Sequence, residues 1–271
     1  MHLTKYLLPA LFIGLIACNS STKHEDRQAQ QGVGYGEFLK QHFGKCDTVS
    51  GSGIYADIDV WLPADTTIEA ARSIRTQLKK KLVERINSYS DSASIAKNPE
   101  AKNSVSEAFG VFEKNYTDFK KQFPEAPGCW FVQLKGDTIM STGKLLIYKL
   151  DHFANTGGAH PNTFRSLHAF DAATGTEKAS KLFITDSTAL LKKVEAAFRK
   201  IEKLDDSVNL EEQGYFLSDH KFFIPANYVF TKEGVLFYYN PYEIAAYARG
   251  PIEFTIPYNE LEGIVKKDLI F

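Results

Sequence analysis

The chain has 271 residues, 24% charged and 44% hydrophobic, the balance of a globular protein. Its 32 Lys and Arg against 33 Asp and Glu leave a net charge of −1, so there is no basic field to hold nucleic acid. The length admits one large domain or two small ones. The 20 Phe and 13 Tyr imply either a core built with aromatic rings or an aromatic binding surface.

Residues 1–17 read as an export signal. Lys5 precedes an apolar run from Tyr6 to Ile16, which ends in Leu15-Ile16-Ala17-Cys18. A charged start, a short apolar stretch and a small residue before the cut mark secretion. The run is shorter than the roughly 20 apolar residues that span a bilayer. Its end resembles the lipobox of bacterial lipoproteins, in which cleavage leaves an acylated cysteine at the new N-terminus. Cys18 is then the membrane partner of the chain, and the expected location is the bacterial cell envelope, facing the periplasm or the exterior. Asn19 rather than an aspartate after the cysteine points to the outer membrane over the inner, by analogy with enteric sorting. In an oxidising compartment the remaining Cys46 and Cys129 form an even pair, which predicts a disulfide. Two separate buried thiols are the alternative.

Residues 18–36 are polar, with no apolar period, and read as a tether loosened by Gly32, Gly34 and Gly36. The first strand signal is Ile54–Leu62, alternating with period two and stopped by Pro63. Ile68, Ala71, Ile74, Leu78, Leu82 and Ile86 recur every three or four residues, predicting a helix, with Lys79-Lys80-Lys81 on its solvated face. Residues 90–103 read as a loop or weak helix, and a second helix runs from Val105 to Phe123. Strands follow at Trp130–Lys135 and Thr138–Ser141, turning at Gly136-Asp137, then at Leu145–Phe153 and Thr163–Asp171, which pair. A third helix covers Ser187–Leu204. Tyr228–Thr231 and Val235–Tyr239 form a hairpin, and Ile252–Ile256 is a last strand. The expected fold class is α+β, antiparallel sheets with about three packed helices. The divisions are a signal (1–17), a tether (18–36), a strand-helix subdomain (37–162) and an α+β subdomain (163–271), packed as one unit.

Two loops stand out chemically. Asn155-Thr156-Gly157-Gly158-Ala159-His160-Pro161-Asn162 joins two strands and offers backbone N–H groups and an imidazole. His160 there is a ligand-binding group or general base, or else only fixes the loop's shape. His152 and His168 flank it on the paired strands, and the three histidines are a weak zinc set whose 8-and-8 spacing matches no metal motif. Tyr242, Glu243 and Tyr247 lie in the segment Tyr238–Pro251, dense in Tyr and suited to protein or sugar recognition. Asp57 and Asp59 share a strand face; a glycosidase needs carboxylates on opposite sides of a bond, so they read as solvent-facing. No nucleophile elbow, zinc-helix, phosphate-loop or dinucleotide motif is present.

Gly157-Gly158-Ala159-His160-Pro161-Asn162, then Asp171-x-x-Thr174-Gly175, then Tyr242-Glu243-Ile244-Ala245-x-Tyr247-Ala248-x-Gly250-Pro251 together resemble a bacterial extracytoplasmic family of unknown function. Its domain forms the outer, lysozyme-binding part of the anti-sigma factor RsiV and the non-catalytic part of the peptidoglycan deacetylase PdaC. The resemblance spans roughly Gly53 to Leu261 and implies an α+β unit that binds rather than catalyses. The chain has no deacetylase motif and no spanning helix, so sigma-factor signalling is not implied. The function expected is a non-catalytic recognition module of the envelope for a protein such as lysozyme or a glycan. Its ligand would meet Asn155, Gly157, Gly158, His160, Asn162, Tyr242, Glu243 and Tyr247, with no cofactor and no metal. An envelope hydrolase pairing His160 with a carboxylate such as Glu243, or with a metal, is the alternative.

Overall fold

The computed structural model describes residues 32–47 and 49–271. Cys18, the export signal and most of the expected tether lie outside the described residues. Among those described, no helix is long and apolar enough to cross a membrane.

The first half is a six-stranded sheet with helices on one face. Strand β1 (Gly36–Asp47) is antiparallel to β2 (Ser52–Pro63) over twelve residue pairs. Two main helices follow, α1 (Glu69–Asn87) and, after short α2 (Ser92–Lys97), α3 (Val105–Gln122). The chain returns as β3 (Trp130–Ser141), β4 (Leu145–Asn155), β5 (Asn162–Asp171) and two-residue β6 (Glu177–Lys178). The strands lie side by side in sequence order, all antiparallel except the β2–β3 pair. The α+β class with three long helices is therefore the observed one.

The period-two rule of strands decides which side chains meet the helices. Ala56, Ile58 and Val60 of β2, Val132 and Leu134 of β3, and Leu146, Tyr148 and Leu150 of β4 pack in one core. Into it α1 inserts Ile74, Leu78, Leu82 and Ile86, and α3 inserts Phe109 and Phe112. Ser104 caps α3 by accepting from the Glu107 N–H at 3.4 Å.

Two expectations need correction. No strand is expected before Ile54, yet β1 is one of the longest. Glu37, Lys40, Gln41, His42 and Lys45 all face solvent, so β1 carries no apolar alternation to detect. Backbone pairing to β2 holds it, and so does the Cys46–Cys129 disulfide, whose Cα atoms are 5.8 Å apart. Gly136-Asp137 is likewise not a turn: β3 runs through it with a bulge between Thr138 and Met140. A Cβ on Gly136 would sit 2.1 Å from the Tyr148 hydroxyl, which donates to the Trp61 carbonyl at 2.9 Å. That glycine makes room for a ring to cross the strand.

The second core is built by α4 (Ser187–Ile201) and a sheet of β7 (Asn227–Phe230), β8 (Gly234–Tyr239) and β9 (Ile252–Pro257). Phe198, Phe230, Phe237 and Tyr239 are fully buried in it. Met140, Leu145, Ile147 and Ala169 join this core from the first sheet's other face. Residue 162, where the sequence analysis divides the chain, is the first residue of β5, which pairs with β4 along ten positions. The second core covers only one end of that face. Gln133, Lys135, Asp151 and Phe153, farther along β3 and β4, line open cavities.

Candidate functional site

The two loops singled out in the sequence meet. The His160 ring lies on the Tyr247 ring with centroids 4.9 Å apart and planes 10° apart. Tyr242 tilts against Tyr247 at 5.5 Å. His160 and Tyr242 are exposed, Tyr242 by 59%. The result is a three-ring surface assembled from two segments more than eighty positions apart.

Each loop has a local reason for its shape. Asn155 ends β4, and its side-chain oxygen accepts from the Gly157 N–H at 2.9 Å, an Asx turn. Gly157 then takes φ +85°, a left-handed conformation glycine adopts without strain. Gly158 is exposed, and exposed Asn162 opens β5 opposite Ala154. In the other loop Asn240-Pro241-Tyr242-Glu243 closes a turn, the Glu243 N–H donating to the Asn240 carbonyl at 3.0 Å. Pro at the second position and positive φ at the third suit a type II turn, whose third position favours glycine. Here that position is Tyr242, at φ +68°. An L-residue other than glycine or asparagine held there costs about 1–2 kcal/mol.

Glu243 maintains the turn. One carboxylate oxygen accepts from the Asn240 N–H at 2.9 Å and the other from the Ala226 N–H at 3.1 Å. Both oxygens serve backbone amides, so the residue positions Tyr242 and is not presented to His160 as a base. Arg249 secures the far end: it donates to Glu202 at 3.0 Å and covers the Tyr215 ring at 4.3 Å. Burial and Glu202 push the Tyr215 hydroxyl up to about 12, so it stays a donor to Glu202 at 2.5 Å.

Two asparagines that sequence reasoning missed dock this region onto the first sheet. Asn240 mimics a strand: its side-chain oxygen accepts from the Arg165 N–H at 2.7 Å, and its amide donates to the Arg165 carbonyl at 3.0 Å. Asn227 accepts from the Leu167 N–H at 3.1 Å. β6 pairs only with Ala169 and Phe170 of β5, so these side chains satisfy part of an edge that would otherwise lack partners. The Asn-Pro pair signals a turn in sequence; its pairing to a distant strand leaves no local trace.

The other histidines go elsewhere. His152 and His168 point under α1, on the sheet face opposite the second core. His152 is 6% exposed, stacked on Phe164 at 5.2 Å with Tyr89 edge-on at 6.1 Å. Burial, and then the Arg85 charge, hold it down to about 4. His168 Nδ1 lies 2.6 Å from Glu177, and its Nε2 lies 2.9 Å from the Ser166 hydroxyl. Burial lowers His168, while Glu177 pulls against that. Burial pushes Glu177 up, but bonds from His168 and from Lys81 at 2.9 Å outweigh it and bring Glu177 to about 2. Ser166 is 7% exposed, so this Ser-His-Glu relay is a tie between β5, β6 and α1 rather than an accessible nucleophile. Lys81 thereby leaves the solvated lysine run the sequence suggested. Among the described residues no three His, Cys, Asp or Glu side chains form a group able to hold a metal. Asp57 and Asp59 share the open sheet face, where Asp59 meets Lys40 and Asp57 meets the His42 imidazole, both on β1.

Comparison with known proteins agrees with the architecture. No curated protein matches the chain. A solved structure of a DUF3298 family member from Bacteroides fragilis is similar over 87% of this chain and 95% of its own, at 18% identity and a TM-score of 0.65. A DUF3298 family protein from Pseudomonas aeruginosa PAO1 is similar over 86% and 95%, at 20% identity and a TM-score of 0.57. At such identities the likeness is one of fold. Residues 180–259, which contain α4, β7, β8 and the Tyr242 loop, match the description "Protein of unknown function (DUF3298)". The chain therefore carries a DUF3298 family domain there, within a fold that two solved DUF3298 structures share.

Proposed function

We propose that this protein is a non-catalytic recognition module of the bacterial cell envelope, tethered through lipid on Cys18 and binding a protein or glycan through the His160–Tyr247–Tyr242 surface. The observation that carries it is Tyr242: a large ring, mostly exposed, held at φ +68° where glycine would fit without strain. Strain retained at an exposed aromatic is the pattern of a contact residue. Rigid tyrosines give binding area at little entropy cost. The motif resemblance to the outer part of RsiV supports a protein such as lysozyme as one ligand. The sequence Leu15-Ile16-Ala17-Cys18 supports the lipid, which the mass of the mature N-terminal peptide checks.

The test is Tyr242→Gly with immobilised protein, presented with lysozyme and with peptidoglycan. The variant relieves the strained turn, so its melting temperature holds or rises while retention of the bound partner falls at least tenfold. Undiminished retention by the glycine variant, or no retention of either partner by the wild type, would sink the proposal.

A further inference from the structure

The open part of the six-stranded sheet forms a trough that the loop surface does not use. Two adjoining cavities, about 310 Å³ and 460 Å³, share Gln133 and Lys135 at their junction. The first reaches Arg165 and Tyr238; the second reaches Lys40 and His42 on β1. The trough thus crosses the strands from β1 to β5, about 19 Å at the usual strand spacing. Asn155 and Asn162, which bound the His160 loop, lie two residues beyond Phe153 and one before Thr163 in this trough.

Its lining mixes charged side chains with apolar carbon, and most of its charges are paired within it. Lys40 pairs with Asp59 at 3.3 Å and His42 with Asp57 at 2.6 Å. Arg165 pairs with Asp151 at 2.6 Å and Glu253 at 2.5 Å while lying 4.5 Å over the Tyr238 ring. Lys135 stands between Asp59 and Asp151 in strand register. With Lys40, Lys135 and Arg165 set against Asp57, Asp59, Asp151 and Glu253, the trough carries no strong single-sign field to attract a polyanion or polycation.

Among the described residues one buried oxygen of the trough, Asp59 Oδ1, has no hydrogen-bond partner, and two groups at its centre are also unspent. Among the described residues the Gln133 amide makes no hydrogen bond and the Lys135 ammonium has no ion pair within 4 Å, although both line both cavities. One flank is apolar: Tyr55, Phe131 and Phe153 stack across β2, β3 and β4 at 5.2 and 5.5 Å. An uncharged chain with polar edges and apolar C–H faces complements this arrangement. Its hydroxyls and amides both donate and accept, so they add to carboxylates and guanidinium without breaking the ion pairs. We infer that the trough is the subsite for an uncharged oligosaccharide, laid across β1 to β5 with Gln133 and Lys135 at its middle; this rests on the recognition reading above and assigns it a ligand class.

The test is saturation-transfer NMR on the full chain with an uncharged N-acetylglucosamine tetramer, set against an unstructured hexapeptide of similar length and against lysozyme. The expected result is transfer from the aromatic flank to the sugar ring protons. Gln133→Ala with Lys135→Ala weakens sugar binding at least tenfold, with an unchanged melting curve, and Tyr55→Ala gives a smaller loss. Sugar binding that ignores the double variant, or hexapeptide binding where the sugar fails, overturns the inference. Lysozyme retained by the wild type with no sugar transfer overturns it while leaving the recognition reading standing. Binding of none of the three overturns both.

Discussion

The two faces of the six-stranded sheet share a backbone and differ in what covers them. On the helix-covered face β4 contributes Leu146, Tyr148 and Leu150, each no more than 1% exposed. On the opposite face the same strand begins with buried Leu145 and Ile147 beneath the second core and ends with Asp151 and Phe153 in the open trough. Burial of apolar area stabilises the first arrangement. Ion pairs between half-exposed groups contribute little net stability. A face that does little for folding is free to be shaped by binding.

That contrast can be broken most strongly from the covered side. Phe112 is completely buried, stacked on Trp130 with centroids 6.0 Å apart. Phe112→Ala should lower unfolding free energy by about 4 kcal/mol in urea titration, through lost transfer energy and the cavity left behind. A loss below about 1 kcal/mol would mean that α3 is not the lid of this core.

The next effect is set by acid. His152 is held neutral in the fold, at about 4 against an ordinary 6.5. Between those values the unfolded chain binds more protons than the folded one, so stability rises with pH there. What is fully present above pH 6.5 should be lost as pH falls through 4, on the order of 3 kcal/mol. His152→Phe should reduce this slope in melts taken from pH 7 to 4, leaving the smaller part that buried His168, also lowered, contributes. Glu177, at about 2, adds a separate loss only below about pH 4.5, so an unchanged slope between 6.5 and 4.5 in the variant would refute the assignment.

The smallest effect belongs to the open face. Lys135→Ala should change stability by less than about 0.5 kcal/mol. A larger loss would show that the trough charges hold the sheet together, and the contrast between the faces would weaken.

Periodic segments were legible because their apolar spacing reports the face they bury. The three long helices, β2, the β4–β5 pair and the β7–β8 hairpin all show it. The disulfide was legible from cysteine arithmetic alone. β1 was not, since an edge strand with solvated side chains has no period to read. Gly136 misled because a glycine that admits a ring across a strand looks like a glycine that turns. Of the candidate residues, His160, Tyr242 and Tyr247 come together as a surface. Glu243 is spent on the turn, and Asn155 and Gly157 shape the loop.

By itself, then, the amino-acid order determined the α+β class, most elements, the cysteine pair and the two loops, because these rest on local spacing and local turn chemistry. Only the tertiary structure decided that His160 stacks on Tyr247, that Asn240 docks the second core onto β5, and that His152 and His168 part from His160. It alone showed that Gln133 and Lys135 are left unpaired in a trough most of whose other charges are paired. Those outcomes depend on strand register and on which face each core covers. A shift of one residue in register would reverse them without changing any local pattern.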